Sequence, residues 1–403
     1  MPTGIMNSDG SLAGECIVCF ASGDWWVMTP GSCRKIMERF SQTNKVIFVN
    51  TISPTLPKVA SEGFAYRLLR KIPSLVLFLR KPLPNIYVFT PIVLPTKGHT
   101  IVRKANFVLL LLQLKCLLLI LNVRKPIFWI ENLAAADLLS EFETACTIYY
   151  CSDKFDASRH LVSKDTLKTQ DFVLTHRSDA IICVSKMLYR AKKNLRRHVF
   201  YLPHAVDYDH FSSVSSDDHS VPDDIKGVKH PIIGYFGSLS DSNDLDILEF
   251  CATKRPDWSF TLIGRTMGSD FEKLRQLPNV HFLGFKDYQN IPQYAGHFDV
   301  CLLFWKITEW IKFCNPVKTK EYLAMGKPIV SVPIPEIEEA FSDIVAVAAT
   351  KEEFLEAINH ELLTDSPEKQ RERMSRVSGD TWEHYVERVS GIIIATLEEK
   401  NAK

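Results

Sequence analysis

NPVKTKEYLAMGKPIVSVPIP, residues 315–335, decides the fold. Asn315-Pro316 reads as a turn feeding a helix that holds Lys318 and Glu321. Gly326 closes the helix, because the residue past a helix end often takes a positive φ, which glycine adopts at little steric cost. Pro328 blocks continuation, and 329–332 read as a short buried strand of a parallel sheet. Lys318 and Glu321 stand one turn apart, at i and i+3. The helix start also exposes backbone N–H groups and positive dipole character, which favour an anion. An ammonium, a carboxylate and a helix N-terminus together can hold a phosphate and a hydroxyl of one ligand. On the local pattern alone, a solvated ion pair on a surface helix fits equally well.

Upstream of this stretch the same strand and helix alternation repeats. PIIGY (231–235) reads as a strand ending in Phe236-Gly237-Ser238. A helix over 243–254 leads to SFTLI (259–263), which ends in Gly264-Arg265. NVHF (279–282) ends near Gly284, 288–295 is a short helix, and DVCLLF (299–304) is a strand. This is a doubly wound α/β domain over 231–380. Each glycine alone would serve a strand-end turn. Three in succession, with the helix at 318, point to a site where phosphates approach backbone N–H groups. Helices follow over 352–363, 367–377 and 381–397, the last with apolar residues at helical spacing.

The first half holds another sheet. ECIVCFA (15–21), KVIFVN (45–50), IFWI (127–130), TIYY (147–150), AIICV (180–184) and 199–202 read as strands. Helices are expected over 34–41, 131–142, 164–175 and 186–196. The loop 22–32, with Thr29, Pro30 and Gly31, lies at the carboxyl end of the first strand, where open α/β sheets bind ligands. No GxGxxG follows that strand, so a dinucleotide fingerprint is absent. Asp153 sits just past the 147–150 strand, in a catalytic location, although a turn or cap role fits it as well. Polar 204–230 reads as a linker. The expected division is a flexible 1–14, a first domain over 15–203, that linker, a second domain over 231–380, and a C-terminal helix over 381–403.

Charge divides the chain more sharply than its net +1 suggests. Residues 1–205 hold 27 Lys+Arg and 14 Asp+Glu, whereas 206–403 hold 21 and 33. Residues 63–130 contain eleven basic residues and no Asp or Glu. Within them, NFVLLLLQLKCLLLILNV (106–123) approaches membrane-span length, but Gln113 and Lys115 interrupt its centre. It reads as a buried or interface-lying helix. A basic, acid-free surface carrying apolar side chains suits anionic lipid headgroups, and a basic helical face over a core is the plainer alternative. No nucleic-acid motif is present. Ten cysteines lie mostly in apolar runs, and the Cys16/Cys19 pair has no second pair at zinc spacing, so buried free thiols in a reducing compartment are expected. The N-terminus is polar and does not read as a signal peptide.

Over 179–335 the chain resembles the GT-B glycosyltransferases, specifically the retaining, family 4-like group that includes bacterial polysaccharide and lipid-linked sugar transferases. SDAIICVS, LPHAVDYDHF, FTLIGR, NVHFLGF and NPVKTKEYLAMGKPIVS look like that group's successive motifs. DWWVMTPGSCRKIMERFSQTNKVIFVN and TIYYCSDKF are similar to its acceptor-domain pieces. The resemblance implies two Rossmann-like domains facing a cleft, with the last helix crossing back to the first domain. It implies a nucleotide-diphosphate sugar bound mainly by the second. Glu321 matches the second glutamate of the group's E-x7-E motif, which accepts from ribose hydroxyls. Phe313 stands where the first glutamate belongs, and Glu309 is a poor substitute by spacing. Ser238 and Asn243 replace an expected Arg and Lys at the diphosphate, so Arg265 and Lys318 become the candidate cations.

Gly237, Ser238, Gly264, Arg265, Phe285, Asn315, Lys318 and Glu321 are thus the expected donor site. Asp153, Arg265 and Lys318 are the expected catalytic residues, with Asp153 where many members carry a His. Fixed cations at a leaving diphosphate lower the barrier without a metal, so no metal and no cofactor are expected. The implied activity is that of a hexosyl-type glycosyltransferase, retaining, acting on a glycan or lipid-linked acceptor. The implied place is the cytoplasmic face of the membrane, peripherally attached. A nucleotide-sugar epimerase on the same fold, and a non-catalytic sugar-nucleotide or membrane-binding protein, are the alternatives.

Overall fold

The computed structural model describes residues 12–26, 30–51, 78–94, 100–154, 163–215 and 221–402. They form two compact units. The first comprises the described parts of Met1–Cys183 with Leu188–Leu202 and Tyr385–Lys403, and the second comprises Val184–Met187 and Pro203–His384.

The first unit is built on β1 (Cys16–Phe20), β2 (Lys45–Val49), β3 (Leu79–Leu83), β4 (Ile86–Phe89), β5 (Ile127–Ile130), β6 (Thr147–Cys151), β7 (Ala180–Cys183) and β8 (Val199–Tyr201). Their order in the sheet is β3-β4-β2-β1-β5-β6-β7-β8. Every pairing is parallel except β3 with β4, an antiparallel edge. β5, β6 and β7 are buried along their whole length, as strands covered on both faces must be. Strand order reverses between β1 and β5, which makes their carboxyl ends the switch point of this sheet.

The helices are α1 (Ser32–Phe40), α2 (Thr100–Ile120), α3 (Lys164–Arg177) and α4 (Lys186–Lys192). Two expectations shorten. The helix over 131–142 is a 3₁₀ helix, Leu133–Leu138, capped by Asn132 accepting from Ala134 N. Leu133, Ala135, Ala136 and Leu138 are buried, while Asp137 is exposed. The helix expected over 186–196 ends at Lys192, whose ammonium is buried against Asp171 and Thr175. No helix among the described residues is long and apolar enough to cross a membrane. Leu12 lies in the 1–14 stretch, yet it is buried and its carbonyl accepts from Thr43 Oγ1 and Asn44 Nδ2. The CxxC cysteines do not meet. Cys19 Sγ instead lies 3.2 Å from Cys33 Sγ, both as buried free thiols.

The second unit is built on β9 (Ile232–Phe236), β10 (Ser259–Ile263), β11 (Val280–Gly284), β12 (Val300–Leu303), β13 (Ile329–Ser331) and β14 (Ala346–Val347), in the order β11-β10-β9-β12-β13-β14. All pairings are parallel. Here the order reverses between β9 and β12. The helices are α5 (Tyr208–Ser212), α6 (Leu245–Lys254), α7 (Glu272–Arg275), α8 (Ile291–Ala295), α9 (Val317–Ala324), α10 (Pro335–Ala340), α11 (Lys351–Thr364), α12 (Pro367–Val377) and α13 (Trp382–Asn401). From Tyr385 onward α13 groups with the first unit, where Lys400 pairs with Asp179 at 2.9 Å.

The stretch expected as a linker is part of this second unit. Val206, Phe211 and Ile225 enter its core, and Phe211 stacks on Phe236 with ring centroids 6.0 Å apart. α9 ends as its sequence demands. Gly326 has φ 72°, its N–H bonds Leu323 O at 2.9 Å, and Lys327 N–H reaches back to Tyr322 O at 3.0 Å. That pair of bonds is the glycine-dependent helix stop. The buried Arg373 then donates from Nε to Gly326 O at 2.9 Å and pairs with Asp365, fixing where α9 ends against α12.

Candidate active site

The site grows from how α9 meets β9. Tyr322 OH accepts from Phe236 N–H at 3.3 Å, and the two rings pack edge to face at 4.9 Å. Lys318 lies one helical turn earlier on nearly the same face, so it falls over the next residue of the strand end, Gly237. A Cβ at Gly237 would lie 2.2 Å from Lys318 Cε and 2.7 Å from Nζ. The ammonium also lies 5.8 Å from the Tyr235 ring centroid and 5.7 Å from that of Trp305. Tyr235 OH donates to Ser238 O at 3.2 Å and accepts from Trp305 Nε1 at 3.4 Å. The lysine is therefore boxed by two rings and a bare backbone.

The backbone beneath it is as tight. Gly237 has φ 134° and Gly264 φ 145°. A Cβ at Gly264 would sit 1.9 Å from Gly237 O. Gly237 N–H bonds Ile263 O, and Gly264 N–H bonds Gly284 O, each at 2.8 Å. The strand ends of β9, β10 and β11 are thus drawn together, and only glycines fit at the first two. Gly237 follows β9 and Trp305 follows β12, so the box straddles the switch point of the sheet, where open α/β sheets hold ligands. The first turn of α9, with no side-chain cap at Pro316, opens beside it.

The remaining expected residues divide. Arg265 places its guanidinium 4.5 Å over the Phe285 ring. Ser238 is exposed, and Glu321 is half-buried on α9. Asn315 takes a tethering position: Nδ2 donates to Val184 O at 2.8 Å and approaches Glu336 Oε1 at 3.4 Å. Beside it Ser185 Oγ donates to Phe313 O at 2.7 Å, and Lys186 N donates to Glu336 Oε2 at 2.8 Å. Phe313 closes a 3₁₀ turn, Ile311–Phe313, and Glu309 is exposed. Asn243 is buried and accepts from Ser240 N–H, while its Nδ2 is buried with no hydrogen-bond partner. Lys320 turns inward to Asp380 at 2.7 Å. With burial, its charge pushes the His204 imidazole down to about 3.

Asp153, Pro30 and Gly31 belong to the first unit, and Thr29 lies outside the described residues. Asp153 follows β6 by two residues, and Gly31 caps α1. Between them stands a residue the sequence reading passed over. Glu131, directly after β5, is only 9% exposed. Its Oε2 accepts from Ser22 N–H at 2.8 Å and its Oε1 from Ser152 Oγ at 3.3 Å. It therefore bridges the ends of β1, β5 and β6 at the switch point of the first sheet. Burial raises its carboxyl above the ordinary range, against the pull of those hydrogen bonds. The rule that singled out Asp153, an acid at a strand's carboxyl end, also picks Glu131. Tyr235 and Trp305 had no such signal, because aromatic residues in apolar runs read as core. Among the described residues no group of three or more His, Cys, Asp or Glu could hold a metal ion.

Comparison with known proteins bears on the fold and the family likeness. Residues 230–365 match the family model described as Glycosyl transferases group 1. The chain is 29% identical over 203 residues, 47% of its length, to the putative teichuronic acid biosynthesis glycosyltransferase TuaH of Bacillus subtilis (strain 168). It covers 50% of that relative, so the chain spans about half the length of the curated relative it matches. Among solved structures it is similar to sucrose-phosphate synthase from Thermosynechococcus elongatus. The TM-score is 0.69 at 13% identity, with 96% of this chain and 100% of the other covered. It is also similar to HepE from Anabaena, solved with UDP and glucose. There the TM-score is 0.56 at 16% identity, covering 96% and 98%. The fold is α/β of the GT-B class, with two Rossmann-like units.

Proposed function

We propose that the chain is a glycosyltransferase that moves a hexosyl group from a nucleoside-diphosphate sugar to a glycan or lipid-linked acceptor at the membrane face. The observation that carries this is the Lys318 ammonium lying on the Gly237 backbone at the β9/β12 switch point, within the segment matching the group 1 family. A diphosphate there meets a fixed cation, glycine backbone and the opening turn of α9, which together favour an anion.

As the bond from sugar to diphosphate breaks, negative charge grows on the leaving oxygens. Lys318, with Arg265 as the second cation, stabilises that charge from positions held by Tyr322 and Phe285. Glu321 accepts from the ribose hydroxyls. On the acceptor side Asp153 orients the attacking hydroxyl, and Glu131 holds the loops at Ser22 and Ser152 that flank it. The acceptor hydroxyl attacks from the leaving-group face and passes its proton to the departing diphosphate oxygen, which retains the anomeric configuration.

A thermal-shift panel of nucleoside diphosphates and their sugars tests the reading, because a ligand bound only by the native state raises the melting temperature. One nucleoside diphosphate, with its sugar, should raise it in the wild type and fail to do so in Lys318→Ala. No shift with any member, and no nucleotide release from any donor, would reject the assignment.

A further inference from the structure

α2 is apolar on both faces. One face carries Leu110, Leu114, Leu117 and Leu118, all buried. On the opposite face Ile101, Val108, Leu112 and Leu119 are 52% to 83% exposed. Exposed Lys104, Ala105, Lys115 and Cys116 share that face, because all eight positions recur at three-, four- or seven-residue spacing. Gln113 does not break this stripe. Its side chain both donates to and accepts from the backbone of Ile92, at 2.9 Å each. Asn106 does the same for Leu94, at 2.8 and 2.6 Å. The two amides pin the 92–94 segment to the helix, and Ile92 and Leu94 are exposed as well.

We propose that this outward stripe of α2, with Ile92 and Leu94, is the surface by which the chain docks on an anionic lipid bilayer. The helix would lie in the plane of the headgroups. It spans about 30 Å at 1.5 Å per residue, enough to seat side chains along its length without crossing. A second copy of the chain is the competing occupant, and charge decides against it. Residues 63–130 carry eleven basic residues and no acidic one, so two copies joined here would bring Lys104 and Lys115 against like charge. Anionic headgroups supply the missing counter-charge.

The inference refines the lipid-linked acceptor reading, yet its test needs neither donor nor acceptor. Cys116 is exposed, whereas the Cys16 thiol is pushed up to about 12 by burial, so a thiol-reactive, polarity-sensitive dye labels Cys116 first. Vesicles of phosphatidylglycerol and phosphatidylcholine should shift its emission to the blue and co-sediment the full chain. Neutral phosphatidylcholine vesicles or 0.5 M salt should reduce binding at least about tenfold. Leu112→Glu with Leu119→Glu should lose it to the same extent while keeping the wild-type melting temperature, since both sites are exposed. Equal binding by that variant would overturn the proposal. So would no binding by the wild type, or a solution dimer that the variant dissociates. Nucleoside-diphosphate stabilisation without vesicle binding would leave the catalytic reading standing and this one rejected.

Discussion

Gly237→Ala tests whether the lysine box is the anion site. The new methyl would lie 2.2 Å from Lys318 Cε, far inside contact distance. The lysine end is flexible, so it swings away, and the ammonium leaves the strand end. Losing one hydrogen bond to a charged group costs about 1.5–3 kcal/mol, or about 10- to 150-fold in nucleoside-diphosphate affinity. Separately, an L-residue at φ 134° carries strain of about 1–3 kcal/mol. Lys318→Ala removes the atom that the methyl would strike but leaves that strain. The two substitutions should therefore be non-additive in binding, with the double variant no weaker than Lys318→Ala alone. In stability, Gly237→Ala should cost less in the Lys318→Ala background than in the wild type. Calorimetric titration with the best nucleoside diphosphate, and urea unfolding, read the two halves of the cycle. Additive binding losses, or wild-type affinity in Gly237→Ala, would refute the claim that Gly237 is bare in order to seat Lys318.

Other consequences are simpler to state. Gly264→Ala places its Cβ 1.9 Å from a backbone oxygen, which cannot swing away, so it should destabilise the second unit more than Gly237→Ala does in urea. Arg373→Ala strips the buried partner from Asp365 and the donor from Gly326 O. A loss of about 3 kcal/mol is expected, with weaker nucleotide binding because α9 is no longer held. His204 has its folded value pushed down to about 3, so the unfolded chain takes up the proton first as pH falls. Stability present above about pH 6.5 is then lost toward pH 3, and His204→Gln should flatten that acid limb. Glu131 runs the other way. Its carboxyl is raised in the fold, so the native state holds more protons and stability falls as pH climbs through and above the ordinary carboxylate range. Glu131→Gln should remove that slope, as followed by unfolding midpoints across pH, and should slow transfer without changing nucleotide affinity.

The scaffold was legible because it rests on local chemistry. Strand runs such as IFWI and AIIC are uniformly apolar, and the stop at Gly326 depends only on glycine and its neighbours. The helix expected over 131–142 forms only as the 3₁₀ helix Leu133–Leu138, because leucines and alanines propose a helix without fixing its length. The 204–230 stretch was misjudged because its polar composition hides Phe211 and Ile225, two anchors that only the tertiary core reveals. Lys318 was legible as a cation at a helix start, but its seat on Gly237 was not, since the contact joins residues 81 positions apart, at 237 and 318. Asn315 adds a task its motif did not announce: its amide nitrogen holds Val184 O.

That tether bears on the largest departure from the GT-B pattern, Phe313. The backbone at 313–315 is held through Ser185 Oγ on Phe313 O and Asn315 Nδ2 on Val184 O. Neither bond involves the side chain at 313. The chain can therefore carry a phenyl ring where the resemblance expects a carboxylate without moving the start of α9. Ser238 and Asn243 are similar cases. Ser238 is exposed and its carbonyl is held by Tyr235, while Asn243 bonds Ser240 N–H, so the strand ends keep their geometry after losing two expected cations. What is retained is the part that the proposed reading assigns to a diphosphate: bare glycines, Lys318 and the rings around it. What is altered is the set of side chains that would read the sugar and share the phosphate charge. Because the backbone is held independently of those side chains, the glycine and lysine geometry at the strand ends can stay in place while the residues around it change.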